Sequence, residues 1–152
     1  MLQYTLGIAM NRENIVNALL KLLSSSVSFT TVSRKFQTWS SISSSEKPAM
    51  FLLERSESYI RANEAVPEVV TLEIDLYICV DAGKDQSLVP ASVLNNLIDA
   101  VEAALTPNKL TNSQTLGGLV SHCRIEGKII KNSGDLDGDA TAIIPIKILV
   151  PR

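Results

Sequence analysis

Hydrophobic and polar positions alternate with a period of two along residues 69–80. Apolar side chains occupy every second position, at Val70, Leu72, Ile74, Leu76, Ile78 and Val80. The intervening positions are mostly polar, at Val69, Thr71, Glu73, Asp75, Tyr77 and Cys79. Because successive side chains of a strand point to opposite faces, this pattern predicts a long strand with one apolar face and one mostly polar face.

Two other segments repeat their apolar residues at helical spacing. Residues 11–23 do so behind Asn11, which is a favourable N-cap residue. Residues 90–105 do the same, with Pro90 suited to the first helical turn and Pro107 just beyond the end. Both segments are predicted to be amphipathic helices that cover a sheet.

Further strands are predicted from β-branched and apolar segments. They are residues 29–34, 49–54, 119–131 and 140–150. Pro145 cannot donate a backbone hydrogen bond, which predicts a sheet edge or a bulge at that position. The order α-β-β-β-α-β-β predicts an α+β fold: a mostly antiparallel sheet of about five strands with two main helices packed on it.

The connections between these segments are polar. Ten of the 22 residues from Ser24 to Ser45 are serines, whose hydroxyls favour turns. Trp39 lies in this stretch, where it either anchors a protein interface or folds back to cap the core. Residues 56–67 are charged and lack a clear period, so they are predicted to form a hairpin arm or a mobile loop.

The length of 152 residues fits one domain. Met10 directly precedes the cap of the first predicted helix. Residues 1–9 are therefore expected to be an N-terminal extension or a misassigned upstream start, and residues 10–152 a single α+β domain.

Charge and composition argue against several classes of protein. With 14 Lys and Arg against 16 Asp and Glu, the chain offers no global basic field for a nucleic-acid backbone. No apolar run approaches the ~18 residues of a membrane span, and residues 1–10 lack the pattern of a signal peptide. Cys79 and Cys123 form no CxxC pair, so both are expected to be reduced thiols.

The single histidine, His122, is expected to be an ordinary surface residue on a polar strand face. It cannot form a nucleophile–base pair with Cys123, because adjacent residues of a strand point to opposite faces. We therefore assign no catalytic residue from the sequence. Residue chemistry alone suits a binding or assembly role better than an enzyme.

The acidic segment from Asp135 to Asp139 places carboxylates at alternate positions, as a calcium-binding loop does. Its glycine, Gly138, falls one place too early for such a loop, and the closing position would be Ile146, which cannot coordinate a cation. A solvated hairpin turn is favoured. No metal-binding or cofactor-binding residue is assigned.

Five segments, in their order along the chain, carry a family resemblance. They are Asn11-Arg-Glu-Asn-Ile-Val-Asn-Ala-Leu-Leu, Pro48-Ala-Met-Phe-Leu-Leu-Glu, Val70-Thr-Leu-Glu-Ile-Asp-Leu-Tyr-Ile, Val89-Pro-Ala-Ser-Val-Leu and Thr115-Leu-Gly-Gly-Leu-Val-Ser-His-Cys-Arg-Ile-Glu-Gly-Lys. The last is followed by Gly134-Asp-Leu-Asp-Gly and Ile144-Pro-Ile-Lys-Ile-Leu-Val-Pro and is the most specific. From Met10 onward, the chain resembles the tail terminator (minor tail protein U-like) family of long-tailed phages and prophages.

The resemblance implies a structural protein of the virion, without enzymatic activity or cofactors. Such a protein forms a homohexameric ring on the head-proximal end of the tail tube, ends polymerisation of the tube protein and joins a head-completion or connector protein. Assembly in the cytoplasm of the bacterial host is implied, as is a channel that DNA crosses without specific binding. The near-neutral charge suits such a channel, since a basic lining would bind phosphates. Candidate interface residues lie in the polar loops: Trp39, Arg34, Lys35, Glu57, Arg61, Asp135, Asp137 and Asp139.

Two alternatives remain open on the sequence. Another neck, head–tail joining or tail-completion protein would have a similar size and α+β composition. A small α+β bacterial enzyme or ligand-binding domain would need a pocket with convergent polar groups. The polar residues available for it on strand faces are His122, Glu73, Asp75 and Tyr77.

Overall fold

The computed structural model describes residues 10–66, 68–81, 87–134 and 139–151, with Trp39 described by its backbone alone. Its elements are α1 (Arg12–Ser26), β1 (Thr31–Ser33), β2 (Ala49–Ile60), β3 (Val69–Val80), α2 (Pro90–Ala104), β4 (His122–Ile125), β5 (Ile130–Asn132) and β6 (Ala140–Pro151). The predicted α+β fold is confirmed, with six strands in the described sheet. Neither described helix combines the length and the apolar character that crossing a membrane requires.

The sheet has the strand order β1-β2-β3-β6-β4, and β5 also pairs with β6. Its centre is antiparallel, because β3 pairs along its whole length with β2 on one side and β6 on the other. At one edge, β1 pairs in parallel with the first three residues of β2. At the other edge, β4 and β5 follow one another along β6.

The two helices form where the sequence predicts them. Asn11 caps α1, since its Oδ1 accepts a hydrogen bond from the backbone N of Asn14 at 3.1 Å. Pro90 opens α2, as expected for a residue without a backbone donor. Both helices lie on one face of the sheet, where the apolar positions of β3 and β6 are buried. The predicted alternation along β3 is confirmed on this face, because all six of its apolar positions are at most 4% exposed.

β2 is longer than predicted. Residues 56–60 continue it beyond a bulge between Glu54 and Ser56, and they pair with the first half of β3 although their side chains are exposed. Of the two predicted alternatives for residues 56–67, the structure therefore shows a hairpin arm, with Pro67 outside the described residues. We use the name "arm" for residues 56–66 together with the start of β3.

The prediction of one continuous strand over residues 119–131 is wrong. Between β4 and β5 the sheet edge has four residues, 126–129, opposite only two residues of β6. Pro145 lies at this point and has no backbone N–H to give, while its carbonyl accepts a hydrogen bond from Glu126 N at 3.2 Å. Gly127, at φ +122°, comes so close to Pro145 that a Cβ would lie 3.2 Å from the proline ring. The prediction of an edge or a bulge at Pro145 thus holds for the side of β6 that faces β4 and β5, where the pairing is interrupted, whereas the pairing of Pro145 with Asp75 of β3 stays regular.

The sheet face that points away from the helices, which we call the open face, is covered at one end by the serine-rich loop. This loop contains two short 3₁₀ turns, Trp39–Ser41 and Ser44–Glu46. Ile42 is buried against Phe51 in a small second cluster. Phe36 contacts the rings of Phe51 and Tyr77 edge-on, with ring centroids 5.8 and 5.1 Å apart. The predicted strand at residues 29–34 shrinks to the three residues of β1.

Candidate assembly surface

The strand register arranges the side chains of the open face in rows that cross the sheet. One row is apolar and lies next to the serine-rich loop: Phe51, Tyr77, Ile143 and Ile130. A second row, farther along the strands, is polar: Ser56, Glu73, Lys147 and Arg124. The open face therefore changes from apolar to polar within a few residues of each strand.

The polar row is held together by hydrogen bonds and ion pairs between neighbouring strands. Ser56 Oγ donates to Glu73 Oε2 at 2.7 Å, and Lys147 Nζ lies 3.7 Å from the other oxygen of Glu73. Glu126 accepts from Lys147 and Arg124, both at 3.3 Å, and these two cations hold the pKa of its carboxyl below the ordinary value. Cross-strand pairs of opposite charge stabilise a sheet face that stays in contact with water.

The polar residues that an enzyme could use on this face are each engaged by a neighbour. Asp75 is 4% exposed, and its carboxylate lies 3.2 Å from Arg55 Nη1. His122 Nδ1 accepts a hydrogen bond from the backbone N of Gln114 at 3.0 Å. In the part of the chain that the structure describes, no three His, Cys, Asp or Glu side chains converge on a place for a metal ion.

Apolar side chains are exposed at the far end of the open face. Ile60, Val69 and Pro151 lie side by side on three adjacent strands, and Val66 lies in the turn of the arm. Ile60 is 61% exposed and Val66 40% exposed. We call these four residues the arm patch. Exposed apolar side chains that cluster in this way are typical of protein–protein contact sites.

A groove lies at the opposite edge of the sheet, between the end of α2 and the β4–β5 edge. Its volume is about 430 Å³. Apolar side chains of Leu105, Pro107, Ile125 and Ile129 line it, and polar side chains of Glu102, Thr106, His122 and Arg124 complete the lining. We call it the edge groove. Its residues come from segments far apart in the sequence, so no local pattern identifies it.

Two of the predicted interface residues fasten α1 to β2 within the chain. Arg34 donates to Glu13 at 2.8 and 2.9 Å and to Glu54 at 3.0 Å. Glu57 binds Arg12 of α1 through both carboxylate oxygens. These arginines hold the pKa of Glu13 and of Glu57 below the ordinary value of a glutamate.

The remaining predicted interface residues do not gather in one place. Lys35 is exposed beside β1, and Arg61 lies in the arm, 3.5 Å from Glu64. Asp139 is at the other end of the sheet, where it binds Lys47 at 2.7 Å. Burial opposes the charge of Lys47, but the hydrogen bond to Asp139 keeps its pKa above the ordinary value.

Three predicted interface positions lie outside the described part of the structure. They are Asp135, Asp137 and the side chain of Trp39. In the described part of the serine-rich loop, Phe36 and Ile42 cover the open face. Both interpretations of Trp39 stay predictions, because its side chain lies outside the described part of the structure. The assembly role of all eight residues also stays a prediction.

Sequence reasoning missed the arm patch and the edge groove. A signal for the patch exists, because Val69 is an apolar residue in the otherwise polar phase of β3, and Ile60 ends the charged segment that precedes the turn. Both stand directly beside the turn of the arm. Residues beside a turn have few neighbours in the same chain to pack against. Apolar side chains at these positions therefore favour contact with a partner.

The two cysteines are free, as predicted, and both are buried. Desolvation raises the pKa of Cys79 to about 11 and that of Cys123 to about 12. A thiol with such a raised pKa is a weak nucleophile at neutral pH, because the thiolate is the reactive form.

No protein-family profile and no curated protein matches the chain. Among solved structures, it is similar to a chain of the "Virion of native gene transfer agent (GTA) particle". The two chains are 9% identical, with a TM-score of 0.46, over 88% of this chain and 84% of that one. These values are too low to establish a shared fold.

Proposed function

We propose that the chain is a structural protein of a phage or prophage virion, and specifically a tail terminator. It forms a ring, expected to be a homohexamer, on the head-proximal end of the tail tube. The ring ends polymerisation of the tube protein and offers a surface to a head-completion or connector protein. Its role is assembly rather than catalysis.

The observation that carries the proposal is the arm patch. Three neighbouring strands and a turn expose apolar side chains on a protein whose other exposed strand residues are mostly polar. Exposed apolar clusters of this kind mark surfaces that another molecule covers. Five segments resemble the tail terminator family in their order along the chain. This resemblance indicates the kind of assembly in which the patch would be covered.

The polar row supports the same proposal from the middle of the open face. Its charges alternate in sign, from Glu73 through Lys147 to Glu126 and Arg124. A surface with paired charges does not concentrate positive potential, so it holds a nucleic-acid backbone weakly. DNA that crosses the proposed ring would then pass such a surface without specific binding.

The test is capping of the tail tube. Cognate tube protein is polymerised with and without the purified chain, and tube length is measured by negative-stain microscopy. We expect shorter tubes with a cap at one end. An arm-patch variant, Ile60→Glu, should leave the tubes long, whereas the control Leu110→Glu should cap them, because Leu110 is 94% exposed and lies outside the patch.

Two results would contradict the proposal. Tubes that grow to the same length with and without the chain, and carry no cap, would remove the terminator role. Binding to a head-completion protein without binding to tube ends would instead identify a neck or head–tail joining protein.

A further inference from the structure

We infer that the arm patch of one copy inserts into the edge groove of a second copy, and that repetition of this contact closes the ring. The inference rests on the proposed function, because it names the contact by which the proposed ring forms. The occupant of the groove is thus a second copy of this chain.

The two surfaces match in apolar character. Ile60 and Val66 project from the arm as exposed apolar side chains. The groove offers about 430 Å³ with an apolar floor that includes Leu105 and Ile129. Contacts of this kind, in which an apolar anchor fills a pocket, supply most of the binding energy of many interfaces.

The position of the two surfaces favours a closed ring. The arm patch includes β2 at one side of the sheet, whereas the groove borders β4 at the other, so the contact joins two different patches of neighbouring copies. The groove begins near the arm end of the strands, because Val69 pairs with Pro151 and His122 pairs with Leu149 two residues before it. A head-to-tail contact between two different patches closes into a ring when the rotation that it imposes between neighbouring copies is a whole fraction of a turn.

A chain cannot place Ile60 of its own arm in its own groove. Three strand spacings, about 14 Å in total, separate β2 from β4. The groove opens at the far side of β4, at the end of α2. The contact therefore has to form between copies.

The charges around the two surfaces are complementary. Arg61 follows Ile60 directly, with its side chain 46% exposed, and Glu102 stands exposed in the lining of the groove. On the arm, the side chain of Glu64 is 98% exposed, and Lys128 is exposed directly before Ile129 of the groove. Opposite charges placed this way fix the orientation of two partners and speed their encounter.

The first experiment measures self-association of the full chain by analytical ultracentrifugation over a range of concentrations, without tube protein. Ile60→Glu removes the apolar arm residue, and Pro107→Glu places a charge at the exposed rim of the groove. Each variant should weaken association by at least ~10-fold. Leu110→Glu is the matched control, since it puts the same charge in place of an exposed apolar residue outside both surfaces. Far-ultraviolet circular dichroism and thermal melting confirm that each variant is folded.

Mixing the two variants gives a sharper test. An Ile60→Glu chain keeps its groove and a Pro107→Glu chain keeps its arm patch, so an equimolar mixture should form one-to-one dimers at concentrations at which neither variant associates alone. A charge exchange adds a second readout: Arg61→Glu should weaken association a few-fold, and the double variant Arg61→Glu, Glu102→Arg should restore it. Failure of the mixture to form dimers would overturn the inference, as would a wild-type chain that stays monomeric at every concentration.

These results separate the inference from the proposed function. If the variants associate as the wild type does and the wild type caps tubes, the ring closes by another contact and the terminator role stands. If self-association depends on both surfaces but the rings bind no tube ends, the contact stands and the terminator role fails. Capture of the tube protein by the groove of the Ile60→Glu variant would show that the groove serves a different partner.

Discussion

The two faces of β3 are built from alternate residues of one strand, and they are covered in different ways. Toward the helices, all six apolar side chains from Val70 to Val80 are buried by the chain itself. Toward the open face, the same strand offers mostly polar residues that bind neighbours in the sheet, such as Glu73 and Asp75. The helix face therefore stabilises the fold, while the open face and its margins remain available for contacts.

The two ends of the open face differ in a second way. At one end, Phe36 and Ile42 of the serine-rich loop cover Phe51. At the arm end, Ile60 and Val69 have comparable apolar character but remain exposed. One end is closed by the chain, and the other is where a second molecule would complete the surface.

The largest effect is expected from truncating the helix face. Leu76→Ala removes a fully buried side chain and leaves a cavity, which should lower the free energy of unfolding by about 2–5 kcal/mol. Thr71→Ala, on the same strand but on the open face, should lower it by less than about 1 kcal/mol. Urea denaturation measures both values. If both variants lost the same free energy of unfolding, the helix face would not be the face that stabilises the fold.

An intermediate effect is expected at the loop-covered end of the open face. Phe36→Ala removes the ring that contacts Phe51 and Tyr77, and it should lower the free energy of unfolding by about 1–2 kcal/mol. Leu110→Ala, at a 94% exposed side chain, should change it by less than about 0.5 kcal/mol. The near-ultraviolet circular dichroism spectrum should change in the Phe36 variant only. An unchanged stability would mean that the loop does not close this end of the face.

The features that the sequence predicted correctly depend on neighbouring residues in the chain. The alternation along β3 and the spacing of apolar residues in α1 and α2 are local patterns, and Asn11 and Pro90 mark helix starts through their own chemistry. Such signals persist in the folded protein because burial of one face selects the same period that the sequence displays. For this reason the α+β fold was predictable.

The features that were missed depend on residues far apart in the chain. Residues 56–60 are strand because β3 pairs with them, although all five side chains are exposed and Ser56, Glu57 and Ser58 are polar. The break between β4 and β5 is set by Pro145 opposite Gly127, a meeting that no local pattern contains. The edge groove likewise joins the end of α2 to β4, so periodicity could not reveal it.

The smallest effect is expected at the ion pairs that fasten α1 to β2, between Glu13 and Arg34 and between Glu57 and Arg12. Both carboxyls have a pKa below the ordinary value because an arginine binds the charged form. A carboxyl whose pKa is lower in the folded than in the unfolded protein adds stability at neutral pH. That contribution is lost as the pH falls below about 5, through the ordinary glutamate pKa near 4.3 and then the lower folded value.

The double variant Glu13→Gln, Glu57→Gln should therefore melt at a slightly lower temperature than the wild type at pH 7, and the difference should shrink as the pH falls from about 5 to about 3. The effect is small because these pairs are partly exposed to water and screened by salt. Glu64→Gln, at a side chain that is 98% exposed, controls for the loss of negative charge and should keep the pH dependence of the wild type. If the double variant instead lost as much stability as Phe36→Ala, the ion pairs between α1 and β2 would contribute as much to stability as the serine-rich loop does. The helix face, where Glu54 and Glu57 stand beside Ile74 and Leu72 of β3, would then owe its stability to charge as much as to apolar packing.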